Sequence, residues 1–172
     1  MLAAPPAADA QCVRDVYLAV GGSSPVLSSS GSPAVVASDP SPAALQNPPA
    51  ADVVRVSEAQ ILALPATLIV TATDWTPVSR FEGPLLRDVL KLRPGASGDL
   101  HVFALNQYAV TLPMSDLDTF APILAHTRDG VRLKRSDFGP LFIVYPRDQF
   151  KALAAPNMAA RMVWQVCRID VQ

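Results

Sequence analysis

The feature that most constrains the fold of this chain is an uncharged apolar run enclosed by two prolines. Gly139 and Pro140 interrupt the backbone, residues 141–145 then read Leu-Phe-Ile-Val-Tyr, and Pro146 ends the run. A short run of β-branched and aromatic residues predicts a strand buried on both faces, because a half-exposed strand alternates polar and apolar residues. We therefore expect residues 141–145 to be a central strand.

Segments on either side of this run are expected to supply its neighbouring strands. The pair Asp129-Gly130 is a strong turn signal between residues 122–127 and 131–133, and it predicts a hairpin. Residues 161–171 contain large apolar residues at strand-like spacing and predict a further strand. We expect all of these segments to form one sheet around the apolar run.

The remaining pattern mixes short strands with short helices. Further strand candidates are residues 16–20, 33–37, 53–56, 67–73, 100–105 and 108–112. Helix candidates are residues 57–64, where Ser57 and Gln60 fit a capping box, and residues 84–92, 115–120 and 148–153. Residues 80–83 are predicted to be a turn. Short helices among strands of mixed length predict an α+β fold with mixed β-sheets.

Residues 1–52 differ in composition from the rest of the chain. They are rich in Ala, Pro and Ser and poor in large apolar residues, so folding would not offset the entropy of ordering them. We predict an arm that is largely linker, with an edge strand at residues 16–20, and a folded domain at residues 53–172. Residues 1–10 lack the pattern of a signal peptide, which leaves open whether a signal has been removed.

The balance of charge excludes two classes of partner. Lys and Arg total 14 and Asp and Glu total 15, so nothing electrostatic favours nucleic acid or an anionic membrane surface. No apolar run approaches the roughly 18 residues that a spanning helix needs, so no membrane span is predicted. The sequence predicts a soluble protein.

The cysteines and histidines do not form a metal motif. Cys12 and Cys167 are the only cysteines, and they are either bridged to each other or two unpaired thiols. His101 and His126 lie on different predicted strands without the spacing of a metal pair, which favours solvated or hydrogen-bonded histidines. Asp116 is predicted to stabilise the start of a helix.

Four blocks of the sequence resemble a known family. They are residues 81–90 (Phe-Glu-Gly-Pro-Leu-Leu-Arg-Asp-Val-Leu), 104–113 (Ala-Leu-Asn-Gln-Tyr-Ala-Val-Thr-Leu-Pro), 123–141 and 163–171. In this order and spacing they resemble the molybdopterin-binding domain of the sulfite oxidase family, and especially its small single-domain bacterial relatives, over about residues 53–172. The resemblance implies an α+β fold with mixed sheets, and it makes molybdopterin the cofactor to consider.

The resemblance also implies where a metal and a pterin phosphate would be bound. In the family a cysteine thiolate in the loop after an early strand ligates molybdenum, because a soft thiolate suits that metal. That loop corresponds by order to residues 71–75, Thr-Ala-Thr-Asp-Trp, which contain no cysteine. The family's arginine after the Gly-x-Pro-Leu step corresponds to Phe142 here. The family also carries basic residues just before the final tryptophan, where this chain has Val163. Arg161 is left nearby to meet an anionic phosphate.

These observations lead to one candidate site and three hypotheses about function. The site is a cleft formed by Thr73, Asp74, Trp75, Asn106, Tyr108 and Arg161, with no catalytic residue and no metal ligand assigned. The favoured hypothesis is a domain that binds a small-molecule ligand or a protein partner without molybdenum redox chemistry. The second is a molybdopterin-dependent oxidoreductase with Asp74 or Thr73 as an unusual metal ligand. The third is an extracytoplasmic accessory domain tethered by its arm. We expect a periplasmic or exported protein, with a cytoplasmic one as the alternative.

Overall fold

The computed structural model describes residues 16–20, 53–93, 95 and 98–171. The strands in this part of the chain are β1 Val16–Val20, β2 Val53–Val56, β3 Ala66–Thr71, β4 Ser79–Pro84, β5 Leu100–Ala104, β6 Ala109–Leu112, β7 Ile123–Ala125, β8 Thr127–Arg128, β9 Val131–Arg132, β10 Phe142–Val144 and β11 Val166–Val171. The helices are α1 Glu58–Ala63, α2 Leu86–Leu90, α3 Ser115–Thr119 and α4 Pro156–Ala159, with 3₁₀ helices at Arg147–Gln149 and Lys151–Ala154. Mixed sheets with short helices confirm the predicted α+β class.

The largest sheet contains the strand that the sequence predicts to lie at an edge. Its order is β2-β1-β11-β5-β6, and β1 pairs in parallel with β11 and antiparallel to β2. The predicted edge position of residues 16–20 is therefore wrong. Val16 and Leu18 are fully buried, so apolar burial between two strands outweighs the polar composition of the flanking sequence. Cys167 of β11 is disulfide-bonded, while Cys12 and the strand candidate at residues 33–37 lie outside the described residues.

The apolar run at residues 141–145 is buried as predicted, but its strand pairs differently from the prediction. Residues 141–145 are all at most 2% exposed, and β10 within them pairs antiparallel with β7 in a two-stranded sheet. The expectation of one sheet around this run is wrong, because β8 and β9 belong to a second sheet and β11 to a third. Pro140 and Pro146 lack an N–H, so the ladder of β10 cannot extend at either end.

A four-stranded sheet, with the order β3-β4-β8-β9, corrects the predicted turn at residues 80–83. Those residues are the middle of β4, and Phe81 in them is fully buried. Gly83 lies against the backbone of Leu124 and Ala125, where an added Cβ would clash. The glycine therefore marks a close approach of β4 to β7, which local sequence does not distinguish from a turn.

Two local signals are confirmed, and two helix predictions change. Asp129 and Gly130 have φ angles of 51° and 79° and join β8 to β9, as a tight hairpin turn requires. The Ser57 side chain accepts from the Gln60 N–H and the Gln60 side chain accepts from the Ser57 N–H, which completes the capping box of α1.

The helix predicted at residues 84–92 is shortened to α2, because Pro84 is the last residue of β4. The helix predicted at residues 115–120 is α3, and the one at 148–153 is replaced by the two 3₁₀ helices. Within the described ranges, no helix is long and apolar enough to cross a membrane.

Candidate functional site

Thr73 organises the loop of residues 72–78 that follows β3. Its Oγ1 lies 2.9 Å from Oγ1 of Thr76 and accepts hydrogen bonds from the backbone N–H groups of Trp75, at 3.2 Å, and Thr76, at 3.0 Å. The N–H of Thr73 also donates to the Thr76 carbonyl at 3.1 Å. A hydroxyl has one hydrogen and two lone pairs, so three partners satisfy it fully. Thr73 therefore holds the loop in shape.

Ion pairs and hydrogen bonds tie this loop to the segment after β10. The Asp74 carboxylate pairs with the guanidinium of Arg147. Ala72 donates its N–H to Asp148 Oδ2 at 2.9 Å, and Asp148 donates its own N–H to Thr71 Oγ1 at 3.3 Å. The Asp74–Arg147 pair is partly open to solvent, because the two side chains are 43% and 28% exposed.

Trp75 lies at the edge of a cluster of aromatic rings. Its indole is 46% exposed and meets Phe142 edge-to-face, with ring centroids 6.4 Å apart. Phe142 is fully buried, meets Phe81 at 5.7 Å and stacks on Phe138 at 5.5 Å. The position that the resemblance assigns to an arginine is thus filled by a ring that cannot pair with an anion.

Asn106, Tyr108 and Arg161 form a second group. The Tyr108 hydroxyl donates to the carbonyl of Ala160, next to Arg161 in the chain, at 2.9 Å. Asn106 Oδ1 accepts from the Tyr108 N–H at 3.1 Å. Among the described residues, no hydrogen bond, ion pair or ring contact joins this group to the loop of Thr73, Asp74 and Trp75. That the two groups face one cleft stays a prediction.

Arg161 is held by a carboxylate that the sequence assigns to another role. Its guanidinium donates to Asp116 Oδ2 at 2.5 Å, and the Tyr145 hydroxyl donates to the same oxygen at 3.0 Å. Asp116 is 5% exposed and makes no cap hydrogen bond to α3, so the predicted helix-start role is replaced by a buried contact. Burial, together with the adjacent Asp116, raises the pKa of Tyr145.

The two histidines are hydrogen-bonded, as expected. His101 Nδ1 lies 3.1 Å from Thr111 Oγ1, and His126 Nδ1 lies 2.8 Å from Thr127 Oγ1. Burial lowers the pKa of His126, and the positive charge of Arg132 lowers it further. In the part of the chain that the structure describes, no group of three or more His, Cys, Asp or Glu side chains could hold a metal ion.

Sequence reasoning missed a cavity of about 410 Å³ between α2 and α3. It is lined by Arg87, Leu90, Lys91, Arg93, Gly95, Met114, Leu117 and Asp118. Three of these side chains are basic, although Lys91 pairs with Asp88 at 2.6 Å. The basic residues at positions 87 and 91 are four apart, a spacing that could have indicated one basic face. None of the six predicted site residues lines this cavity.

The donors at the positions implied by the resemblance do not fit a molybdopterin. Residues 71–75 contain no thiolate, and Cys167 is disulfide-bonded. The Thr73 hydroxyl is satisfied by its own loop, and the Asp74 carboxylate pairs with Arg147. Arg161 pairs with Asp116 and is not available for a phosphate. The site is therefore poorly suited to ligate molybdenum or to grip an anionic pterin.

Comparison with known proteins bears on the fold. No model of a known protein family matches the sequence, and no curated protein matches it. Among solved structures, the chain is similar to the sulfane dehydrogenase SoxCD from Paracoccus pantotrophus, with a TM-score of 0.50 and 16% sequence identity. The match covers 69% of this chain and 35% of that chain. The chain therefore has an α+β fold that is distantly similar to part of this sulfane dehydrogenase.

Proposed function

We propose that this chain is a binding domain that uses a molybdopterin-oxidoreductase-like fold without molybdenum redox chemistry. The observation that carries the proposal is that residues 71–75 contain no thiolate and that Arg161 is paired with the buried Asp116. A hydroxyl or a paired carboxylate does not supply the electron donation of a thiolate to molybdenum. The chain therefore lacks the thiolate ligand that molybdenum redox chemistry uses in the family it resembles.

The proposed ligand is a small planar anion that binds at Trp75. The exposed indole rests on buried Phe142 and offers a rigid apolar surface. Arg147 forms an ion pair with Asp74, the residue before Trp75 in the chain, and this pair is partly open to water. Such exposed pairs are worth about 0–1 kcal/mol, so an anion on the ligand can replace Asp74 at the guanidinium.

The proposal includes a periplasmic or exported location, with a cytoplasmic location as the alternative. Cys167 is disulfide-bonded, and disulfides persist mainly in oxidising compartments. A protein partner in place of the small ligand, and tethering through the arm predicted at residues 1–52, are the alternatives among binding functions.

The similarity to SoxCD supports one alternative from a different class, a molybdopterin-dependent oxidoreductase. Asp74 would then be the metal ligand, and it would have to release Arg147. A carboxylate suits harder metals than a thiolate does, so the donor set favours the binding function.

Fluorescence titration with benzoate and related planar carboxylates tests the proposed ligand class. A Trp164→Phe background leaves Trp75 as the only tryptophan, so any change reports on the loop. We expect a saturable change that Arg147→Gln weakens by about tenfold or more. Val131→Ala, an exposed change on β9, is the matched control and should leave the titration unaltered. Equal binding by the Arg147→Gln variant, or no response to any planar anion, would contradict this ligand class.

A further inference from the structure

β3 is an edge strand without the usual protection against pairing. It lies at one end of the β3-β4-β8-β9 sheet, and within the described residues β4 is the one strand that pairs with it. The segment after β10 reaches the end of β3, where Ala72 donates its N–H to Asp148. Residues 66–73 read Ala-Thr-Leu-Ile-Val-Thr-Ala-Thr, with neither a charge nor a proline. Edge strands of soluble proteins usually carry lysines, prolines or bulges, since their free N–H and C=O groups otherwise bind another strand.

Exposed apolar side chains lie on β3 and in the segments that flank it in the chain. Leu68 and Val70 of β3 are 44% and 46% exposed, and Ile69 between them is buried. Leu62 of α1 lies before the strand and is 47% exposed, and Val78 in the loop after it is 64% exposed. A concentration of exposed apolar residues on one edge indicates a protein contact.

We propose that a second copy of this chain pairs with β3, antiparallel and centred on Ile69. In that register Leu68 lies opposite Val70 of the second copy, and Thr67 lies opposite Thr71 of the second copy. Directly opposite residues of an antiparallel pair project from the same face, so exposed side chains meet exposed ones. A register centred between Leu68 and Ile69 would instead place an exposed side chain opposite a buried one.

The charges on β4 are complementary in this register. Val70 pairs with Arg80, and Leu68 pairs with Glu82, on the exposed face of the sheet. A row of four side chains therefore crosses the proposed contact. It consists of Arg80 and Val70 of one copy, followed by Leu68 and Glu82 of the second copy. Each of the two rows through Leu68 and Val70 has a cation at one end and a carboxylate at the other. An in-register parallel pairing would place Arg80 of both copies in the same row. The antiparallel arrangement avoids this repulsion between like charges.

The antiparallel direction also accounts for the apolar residues at the two ends of β3. The beginning of one β3 lies beside the end of the other, so Leu62 of one copy approaches the 72–78 loop of the second copy. That loop carries the exposed Trp75 and Val78. The proposed dimer thus covers the exposed apolar edge and brings the second copy to the rim of the Trp75 loop.

Sedimentation equilibrium of the full chain tests this proposal, because Val70 and Val131 offer a matched pair of variants. Both are exposed β-branched residues on strands at opposite edges of one sheet. We expect a monomer–dimer equilibrium between about 1 µM and 1 mM protein, and Val70→Lys should raise the dissociation constant by about tenfold or more. Val131→Lys should leave the constant unchanged. Circular dichroism and thermal melting check that both variants fold.

Hydrogen exchange on the wild-type chain provides a readout that needs no variant. We expect the amides of β3 that face away from β4 to exchange more slowly as protein concentration rises, and those of β9 to be unaffected. A chain that stays monomeric over the whole range overturns the proposal. So does an equal effect of Val70→Lys and Val131→Lys, or concentration-dependent protection located elsewhere than at β3.

Discussion

Arg161 donates a hydrogen bond to Asp116 Oδ2 at 2.5 Å, and this pair joins the segment after α4 to helix α3. Tyr145, at the end of β10, donates to the same oxygen at 3.0 Å. The cation that the resemblance makes available to a phosphate is thus neutralised by a carboxylate that is 5% exposed. The Arg161–Asp116 pair therefore contributes to the stability of the fold.

Removing the carboxylate should therefore cost stability. Asp116→Ala leaves the guanidinium of Arg161 and the hydroxyl of Tyr145 without their acceptor, and we expect a loss of about 3 kcal/mol in the free energy of unfolding. Asp118→Ala, an exposed change in the same helix, is the control and should cost less than about 0.5 kcal/mol. Urea denaturation measures both values. Equal losses would show that the pair does not stabilise the fold.

The central placement of β10 predicts a large effect of truncation. Ile143 is fully buried, so Ile143→Ala should cost about 2–5 kcal/mol through lost contacts and a residual cavity. Val131→Ala on exposed β9 should stay within about 0.5 kcal/mol. A loss for Ile143→Ala as small as that of the control would be incompatible with a strand buried on both faces.

The interior position of β1 makes residues 16–20 part of the fold. Deleting residues 1–20 removes the strand between β2 and β11 and exposes the apolar surface that Val16 and Leu18 cover. We expect the shortened chain to lose its cooperative unfolding transition. The milder variant Leu18→Ala should cost about 2–5 kcal/mol. A shortened chain with most of its stability intact would show that β1 is dispensable.

His126 should make stability depend on pH. Burial and Arg132 lower its pKa from 6.5, against the opposing charges of Glu82 and Glu58. The unfolded chain therefore binds more protons than the folded one as pH falls through 6.5, so the free energy of unfolding should decrease there. His126→Gln should weaken this dependence in urea melts at about pH 5 and about pH 7.5. A ring that titrates above 6.5 by NMR would contradict the assignment.

The sequence predicts the parts of the fold that local signals decide. The turn at Asp129-Gly130 needs only two residues that tolerate positive φ, and the capping box needs only Ser57 and Gln60. The order of strands depends on contacts between distant segments. Nothing near Gly83 in the sequence indicates its approach to the Leu124 backbone, so a buried strand was predicted to be a turn.

The candidate site divides in the same way. The absence of a cysteine at residues 71–75 and the apolar character of Phe142 are visible in the sequence. The partners of Arg161 and Asp74 are not, because Asp116 lies 45 residues from Arg161 and Arg147 lies 73 residues from Asp74. Ion pairs between segments so far apart become evident only once the chain is folded.

The measurement that tests the account most directly is elemental analysis of the full chain from cells competent for molybdopterin synthesis. We expect far less than stoichiometric molybdenum after gel filtration, and no sulfite-dependent electron transfer. The reason is that residues 71–75 lack a thiolate and that Arg161 is bound to Asp116. Asp74→Ala should leave the metal content at the same low level. Stoichiometric molybdenum that is retained by the wild-type chain and lost in Asp74→Ala would contradict the account and establish Asp74 as a metal ligand.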